Sequence, residues 1–249
     1  MAAIISAYSG YVALSFLPPL VWLLFYLHED RHPEPKHLVL LTFVAGILSA
    51  AAAVAVELGL FGRPPVFSGF LHRYLPELLA APGVVLAGVA LVEEYVKYAA
   101  VKIAVLSRPE FDEPIDAMVY MVTAALGFAA IENVLFLVPA FKESFAIGFE
   151  LTTNRFLGAN LLHALSSAIV GYALARHIFS PWRKHAVAAG VFAASALHAL
   201  FNYFIITKDT IPSAILLLAL LLVVMAIVVF VDFERLKKKT TNPLPIAHE

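Results

Sequence analysis

The chain has 249 residues, 61% of them hydrophobic and 14% charged, with a net charge of -1 and a mean hydropathy of +0.87. No ordinary water-soluble domain of this length is so apolar, which makes the fold class an all-α, polytopic membrane bundle, and nothing in the charge balance points to a nucleic-acid partner. There is no cysteine, so disulfides, thiol catalysis and Cys-ligated metals are excluded, and any metal would rest on His and carboxylate ligands.

Seven apolar segments approach the ~20 residues needed to cross the hydrocarbon core. They are 6–27, 37–60, 81–106, 115–138, 155–179, 185–206 and 212–231. The first lacks a basic leader and reads as a span, although Pro18-Pro19 in its interior should kink or break the helix. Residues 28–37, with Pro33 and Pro35, read as a short polar loop. Residues 61–82, rich in Pro and Gly, read as an outer loop along the interface. Residues 142–154 are expected to form a second outer loop, partly helical. The last span is nearly all Leu, Val, Ile and Ala and should face lipid. Residues 1–239 are then a single transmembrane domain with its core at about 82–206, and 240–249 a short polar tail expected to be disordered.

Charge sets the expected orientation. Arg31, Lys36, Lys102, Arg108, Arg176, Arg183, Lys184, Arg235, Lys237, Lys238 and Lys239 flank the odd loops and the tail, whereas Arg63, Arg73, Lys142, Arg155 and Lys208 flank the even loops. That bias predicts a cytoplasmic C-terminus and an external N-terminus, with Lys237-Lys238-Lys239 anchoring the chain to the anionic lipid bilayer.

Glu93, Glu94 and Lys97 lie in the middle of the third span. A charge at the centre of a spanning helix costs about 2.5 to 3.5 kcal/mol on insertion scales, so three within five residues need a reason to be there. Lys97 stands at i+4 from Glu93 and i+3 from Glu94, so one ammonium can face both carboxylates and leave one acid in surplus, as a general base requires. The following spans add Glu132-Asn133, then His163, then His198 with Asn202. At a rise of 1.5 Å per residue, Glu132, His163 and His198 lie roughly 9 to 12 Å from their helix ends and Glu94 roughly 15 to 20 Å, within about two turns of one level in the outer half of the membrane. Ser195, His198 and Asn202 share one helical face, and His163, Ser167 and Gly171 another. A lone buried His or Asn is commonly interhelical glue. Three carboxylates and two imidazoles at one depth read instead as a functional polar site. Asp116, at a helix start with Tyr120 at i+4, reads as a cap. Glu57 and Arg155, near the outer surface, can snorkel or line an entrance.

The strings Glu93-Glu94-Tyr95-Val96-Lys97, Gly127-Phe128-Ala129-Ala130-Ile131-Glu132-Asn133, His163 with Gly171, and His198-Ala199-Leu200-Phe201-Asn202 resemble the PrsW family of intramembrane proteases. A more distant likeness is to the CAAX prenyl proteases, from which the chain departs where Phe128-x-x-x-Glu132 stands in place of Phe-x-x-x-His. The resemblance implies hydrolysis of a peptide bond in a membrane-tethered protein, an anti-sigma factor being the family's expected substrate, near the extracytoplasmic face of a bacterial cell membrane.

Peptide hydrolysis needs an activated water, an oxyanion stabiliser and a proton donor. The metal-free assignment makes Glu93 or Glu94 the base with Lys97 holding the pair, His198 and Asn202 donors to the oxyanion, and Glu132, Asn133 and His163 supporting groups. The competing assignment places Zn²⁺ on Glu132, His163 and His198 with Glu94 as base. The metal-free route is preferred at this stage because no His-Glu-x-x-His helix is present. From another class altogether, a proton-coupled transporter could use the same buried Glu/His set.

Overall fold

The computed structural model describes residues 2–28, 32–62, 69–79 and 81–238. Ten helices run through them: α1 (Ala2–His28), α2 (Lys36–Phe61), α3 (Phe70–Tyr74), α4 (Pro76–Leu79), α5 (Pro82–Ala104), α6 (Asp116–Glu143), α7 (Phe145–Leu157), α8 (Ala159–Arg176), α9 (Arg183–Thr207) and α10 (Ala214–Lys237). No strand occurs among the described residues. Six stretches are long and apolar enough to cross a membrane, with α7 and α8 together forming one of them. The remaining expected span, α5, has 23 residues, about 34 Å of helix. Its extra charge lies on the inner side, where Glu93, Glu94 and Lys97 are buried, while Tyr95 and Ile103 face outward. The chain is thus a multi-pass helical membrane protein, with the tail 240–249 outside the described residues.

The centre of the bundle is α6. From Asp116 to Ala130 every residue is buried, and α1, α2, α5, α7 and α8 all pack against it. Small residues permit this crowding. A Cβ on Gly46 would collide with the Ala124 backbone, one on Gly127 with the Phe43 carbonyl, and one on Gly171 with Ala117 and Met118. Glycine at those positions lets helix backbones approach closely, the usual basis of helix association in a membrane. At the start of α6, Asp116 accepts the backbone N–H groups of Asp112 (3.0 Å) and Glu113 (2.9 Å); both precede the helix, so Asp116 ties down the preceding loop and does not cap α6 as expected, while Tyr120 donates to Glu34. The outer surfaces of α1, α2 and α10 are lined with exposed Leu, Val, Ile and Phe, as helices facing lipid require.

Two expectations need amending, since the helix does not break at the double proline and the second outer loop is helical through most of its length. Pro18 and Pro19 lie inside one continuous α1. Pro19 has no N–H to give the carbonyl of Ser15 four residues earlier, and the Asn133 amide donates to that carbonyl instead, at 3.1 Å. A neighbouring helix thus satisfies the orphaned group, the condition under which proline is tolerated in a membrane helix. The segment read as an outer loop at 142–154 and the start of the fifth span is also different. It is α7, capped by Ser144, whose Oγ accepts the Ile147 N–H at 3.1 Å, and the chain turns at Gly158 (φ -106°, ψ -87°) before α8 begins. The loop at 61–82 contains α3 and α4, with 63–68 and 80 outside the described residues.

Candidate active site

The polar residues of four helices meet in the bundle. Lys97, with no exposed surface, lies at the hub. Its ammonium donates to Glu94 Oε1 at 2.9 Å and to His163 Nδ1 at 2.8 Å, stands 3.7 Å from Glu93 Oε2, and covers the Phe128 ring at 4.4 Å. The spacing Glu93, Glu94, Lys97 on α5 therefore does what its geometry permits, with one cation facing two acids.

The two acids are treated differently. Glu94 is saturated: Oε1 takes Lys97, the Ser166 hydroxyl (3.0 Å) and His198 Nδ1 (3.0 Å), and Oε2 takes the Ser167 hydroxyl (2.9 Å). A carboxylate receiving four donors has its lone-pair positions filled and none left for a further ligand. Glu93 Oε2 is buried and has no hydrogen-bond partner among the described residues, with His198 Nε2 at 3.6 Å and Lys97 Nζ at 3.7 Å. Since buried polar groups are almost always paired, such an oxygen marks a place where something else is meant to bind.

The histidines are fixed from outside. His163 Nε2 lies 2.7 Å from Glu132 Oε2, so a proton there leaves the Nδ1 lone pair facing Lys97. His198 Nδ1 lies on Glu94, so a proton there leaves the Nε2 lone pair facing Glu93. The two rings meet edge to face at 5.0 Å. In each case a carboxylate holds one ring nitrogen and the other points into the same space, the outer partnership that metal-ligating histidines commonly have. One ligand atom each from Glu93, His163 and His198 lie within 4.8 Å of one another. Two imidazoles and a carboxylate with an open oxygen fit a divalent cation of zinc type. Lys97 shares the His163 lone pair, and a cation taking it would leave the ammonium on Glu94.

This arrangement corrects the expected metal set. Glu132 does not stand between the histidines; it lies one hydrogen bond further out, holding His163 on one side and Arg155 (3.0 Å) on the other. Glu93 occupies the place assigned to it. Asn133 also lies outside the cluster, accepting Arg155 Nε at 2.6 Å and donating to Ser15 O and to Asn160 Oδ1, both at 3.1 Å. Asn202 is half-buried and makes no hydrogen bond to the cluster among the described residues. Ser195, on the His198 face, bonds to Val191 O at 2.7 Å and Ala90 O at 3.4 Å, tying α9 to α5. Ser166 and Asn160 were not picked out from the sequence, and Arg155 was read only as a residue that can snorkel or line an entrance. For Ser166 a signal existed, since it follows His163 by three residues; for Arg155, read as the first residue of the fifth span, nothing in its position pointed to Glu132.

The chain is similar to known proteins over most of its length. Residues 34–231 match the family model described as "PrsW family intramembrane metalloprotease". The chain is 30% identical over 186 residues to "Protease PrsW" of Geobacillus kaustophilus, covering 74% of each chain. It is 27% identical over 183 residues to "Protease PrsW" of Bacillus subtilis, covering 73% of this chain and 75% of that one. With "Protease PrsW" of Clostridioides difficile the identity is 25% over 199 residues, covering 78% and 79%. No solved structure matches.

Proposed function

The chain belongs to the PrsW family of intramembrane metalloproteases, and from that premise we propose that this peptidase uses Glu93, His163 and His198 to hold a divalent cation and cut a membrane-tethered protein. The observation that carries the reading is the convergence of one unpartnered carboxylate oxygen and two outward-braced imidazoles on a single space. A cation bound there would act as a Lewis acid on water and on the scissile carbonyl. This reading replaces the metal-free preference drawn from motif absence, because ligands supplied by three separate helices need no His-Glu-x-x-His string.

The protein's own groups do the rest. Glu94 fixes the orientation of His198, and Glu132 fixes that of His163. Ser166, Ser167 and Lys97 hold Glu94 in place by hydrogen bonds. Glu132 bonds through Oε2 to both His163 and Arg155. It therefore acts through His163, whose orientation it sets. Lys97, buried among the acids, is the donor best placed to stabilise the oxyanion. The cleavage level is toward the extracytoplasmic side, with a membrane-anchored regulator of the anti-sigma type as substrate.

The test separates holding metal from bracing its ligands. Wild type, Glu93→Gln and Glu132→Gln are purified, assayed for zinc by elemental analysis and incubated with a single-span substrate before and after chelation. Loss of both metal and cleavage in Glu93→Gln, with metal affinity or cleavage lowered about 10- to 100-fold in Glu132→Gln, is the expected pattern. Full cleavage by metal-depleted wild type would overturn the metal reading and return Glu93 to the role of base.

A further inference from the structure

Glu57 lies outside every motif named so far, yet the packing of α2 along α5 carries it alongside the site. The Phe61 ring meets α5 at Gly88, and Ala50 and Ala53 pack with Phe128, Val92 and Val96. Between antiparallel helices, a residue midway from Ala53 to Phe61 lies opposite Val92 and Glu93. Glu57 is that residue. It is within electrostatic range of Glu93, Glu132, Lys97 and His198. The residue is part-exposed, while its Oε1 is enclosed and has no hydrogen-bond partner among the described residues.

The charge balance beside Glu57 is lopsided. Among the described residues, Glu57, Glu93, Glu94 and Glu132 face two permanent cations, Lys97 and Arg155. Lys97 is committed to Glu94 and His163, and Arg155 to Glu132 and Asn133. No cation among the described residues is bonded to Glu57. A buried acceptor without a donor is costly, and an incoming peptide brings donors: backbone N–H groups of the segment at the cut and the side chains of Lys, Arg, Asn and Gln.

We propose that Glu57 is a specificity-determining residue at the entrance of the proteolytic site, which accepts a hydrogen-bond donor or cationic side chain beside the scissile bond and repels an acidic one. This rests on the proteolytic reading above and names a preference within it. A like charge beside Glu57 is disfavoured and an opposite charge favoured, so Lys and Asp at the same substrate position should differ most.

A single-span peptide is prepared in versions with Lys, Ala or Asp at each position flanking the cut. Each version is assayed in micelles as kcat/KM with wild type, Glu57→Gln and Glu57→Lys, and as Kd in the Glu94→Gln background, where cleavage is disabled. The expected result is a preference of about tenfold for Lys over Asp at one position in wild type. That preference shrinks toward unity in Glu57→Gln and inverts in Glu57→Lys, in both kcat/KM and Kd. Because the ratio is taken within each variant, partial misfolding does not mimic it. If wild type cuts the series but all three proteins keep the same Lys/Asp ratio, the assignment of Glu57 is overturned and the proteolytic reading stands. If wild type cuts no version, the proteolytic reading falls; an unchanged Kd ratio then sinks the role of Glu57 as well.

Discussion

Asn133 connects a defect in one helix to the bracing of the site, and a double-mutant cycle with Pro19 measures the connection. In wild type the side chain, with no exposed surface, meets three partners: the Ser15 carbonyl orphaned by Pro19, Asn160 Oδ1, and Arg155 Nε. Asn133→Ala strands two buried acceptors and one of the bonds of Arg155. At about 1 to 3 kcal/mol for each buried group left unsatisfied, the two acceptors alone make the variant unstable by about 2 to 6 kcal/mol. Pro19→Ala supplies the missing N–H four residues after Ser15, so the same Asn133→Ala change should cost about 1 to 2 kcal/mol less in that background. Unfolding in mixed dodecylmaltoside and SDS micelles, followed by circular dichroism, gives the four free energies. Cleavage should behave differently. Losing Asn133 loosens Arg155 and hence Glu132, and Pro19→Ala repairs only the Ser15 end, so stability recovers in the double variant and activity does not. Additivity of the two changes within about 0.5 kcal/mol would refute the claim that Asn133 answers for the missing proline donor.

Two further outcomes follow from the packing and charge of the core. Lys97→Met should cost about 3 to 5 kcal/mol by leaving Glu94 buried without its cation, and adding Glu94→Gln should recover part of that loss; a stable, active Lys97→Met protein in the same micelle titration would contradict it. Gly127→Val would drive a side chain into the Phe43 carbonyl across the α2–α6 contact, and the expected result is little folded protein by size-exclusion chromatography, against near-normal yield for Gly83→Val, where a Cβ meets open space.

How far the site could be read from the sequence differs from helix to helix, and the difference is physical. Depth is a one-dimensional quantity, fixed by the rise per residue, and it brought Glu93, Glu94, Lys97, Glu132, His163 and His198 to one level; the structure shows all six joined in one network. Azimuth needs a second signal. On α8 that signal is written in the sequence, because His163, Ser167 and Gly171 recur every fourth residue. The glycine must face the α6 backbone it lets in, so Ser167 on the same stripe reaches Glu94 and His163 reaches Glu132. On α5 the same holds, since the only polar stripe in an apolar helix has to turn inward.

On α6 the signal is missing. The helix is buried through its first four turns, so apolar residues surround it on every side and no amphipathic pattern records which neighbour Glu132 will meet. Its partner could have been either histidine, and Arg155, which pulls it away from the space between them, lies where the sequence puts the boundary between an outer loop and the fifth span. The choice between Glu132 and Glu93 as the carboxylate beside the imidazoles was therefore beyond spacing alone. It is settled by the count of donors: Glu132 has two, Glu94 has four, and Glu93 Oε2 has none among the described residues. A buried acid left without donors among the described residues, beside carboxylates that have two and four, is where an incoming cation or water gains most, and that imbalance is why the proposed metal set takes Glu93 in place of Glu132.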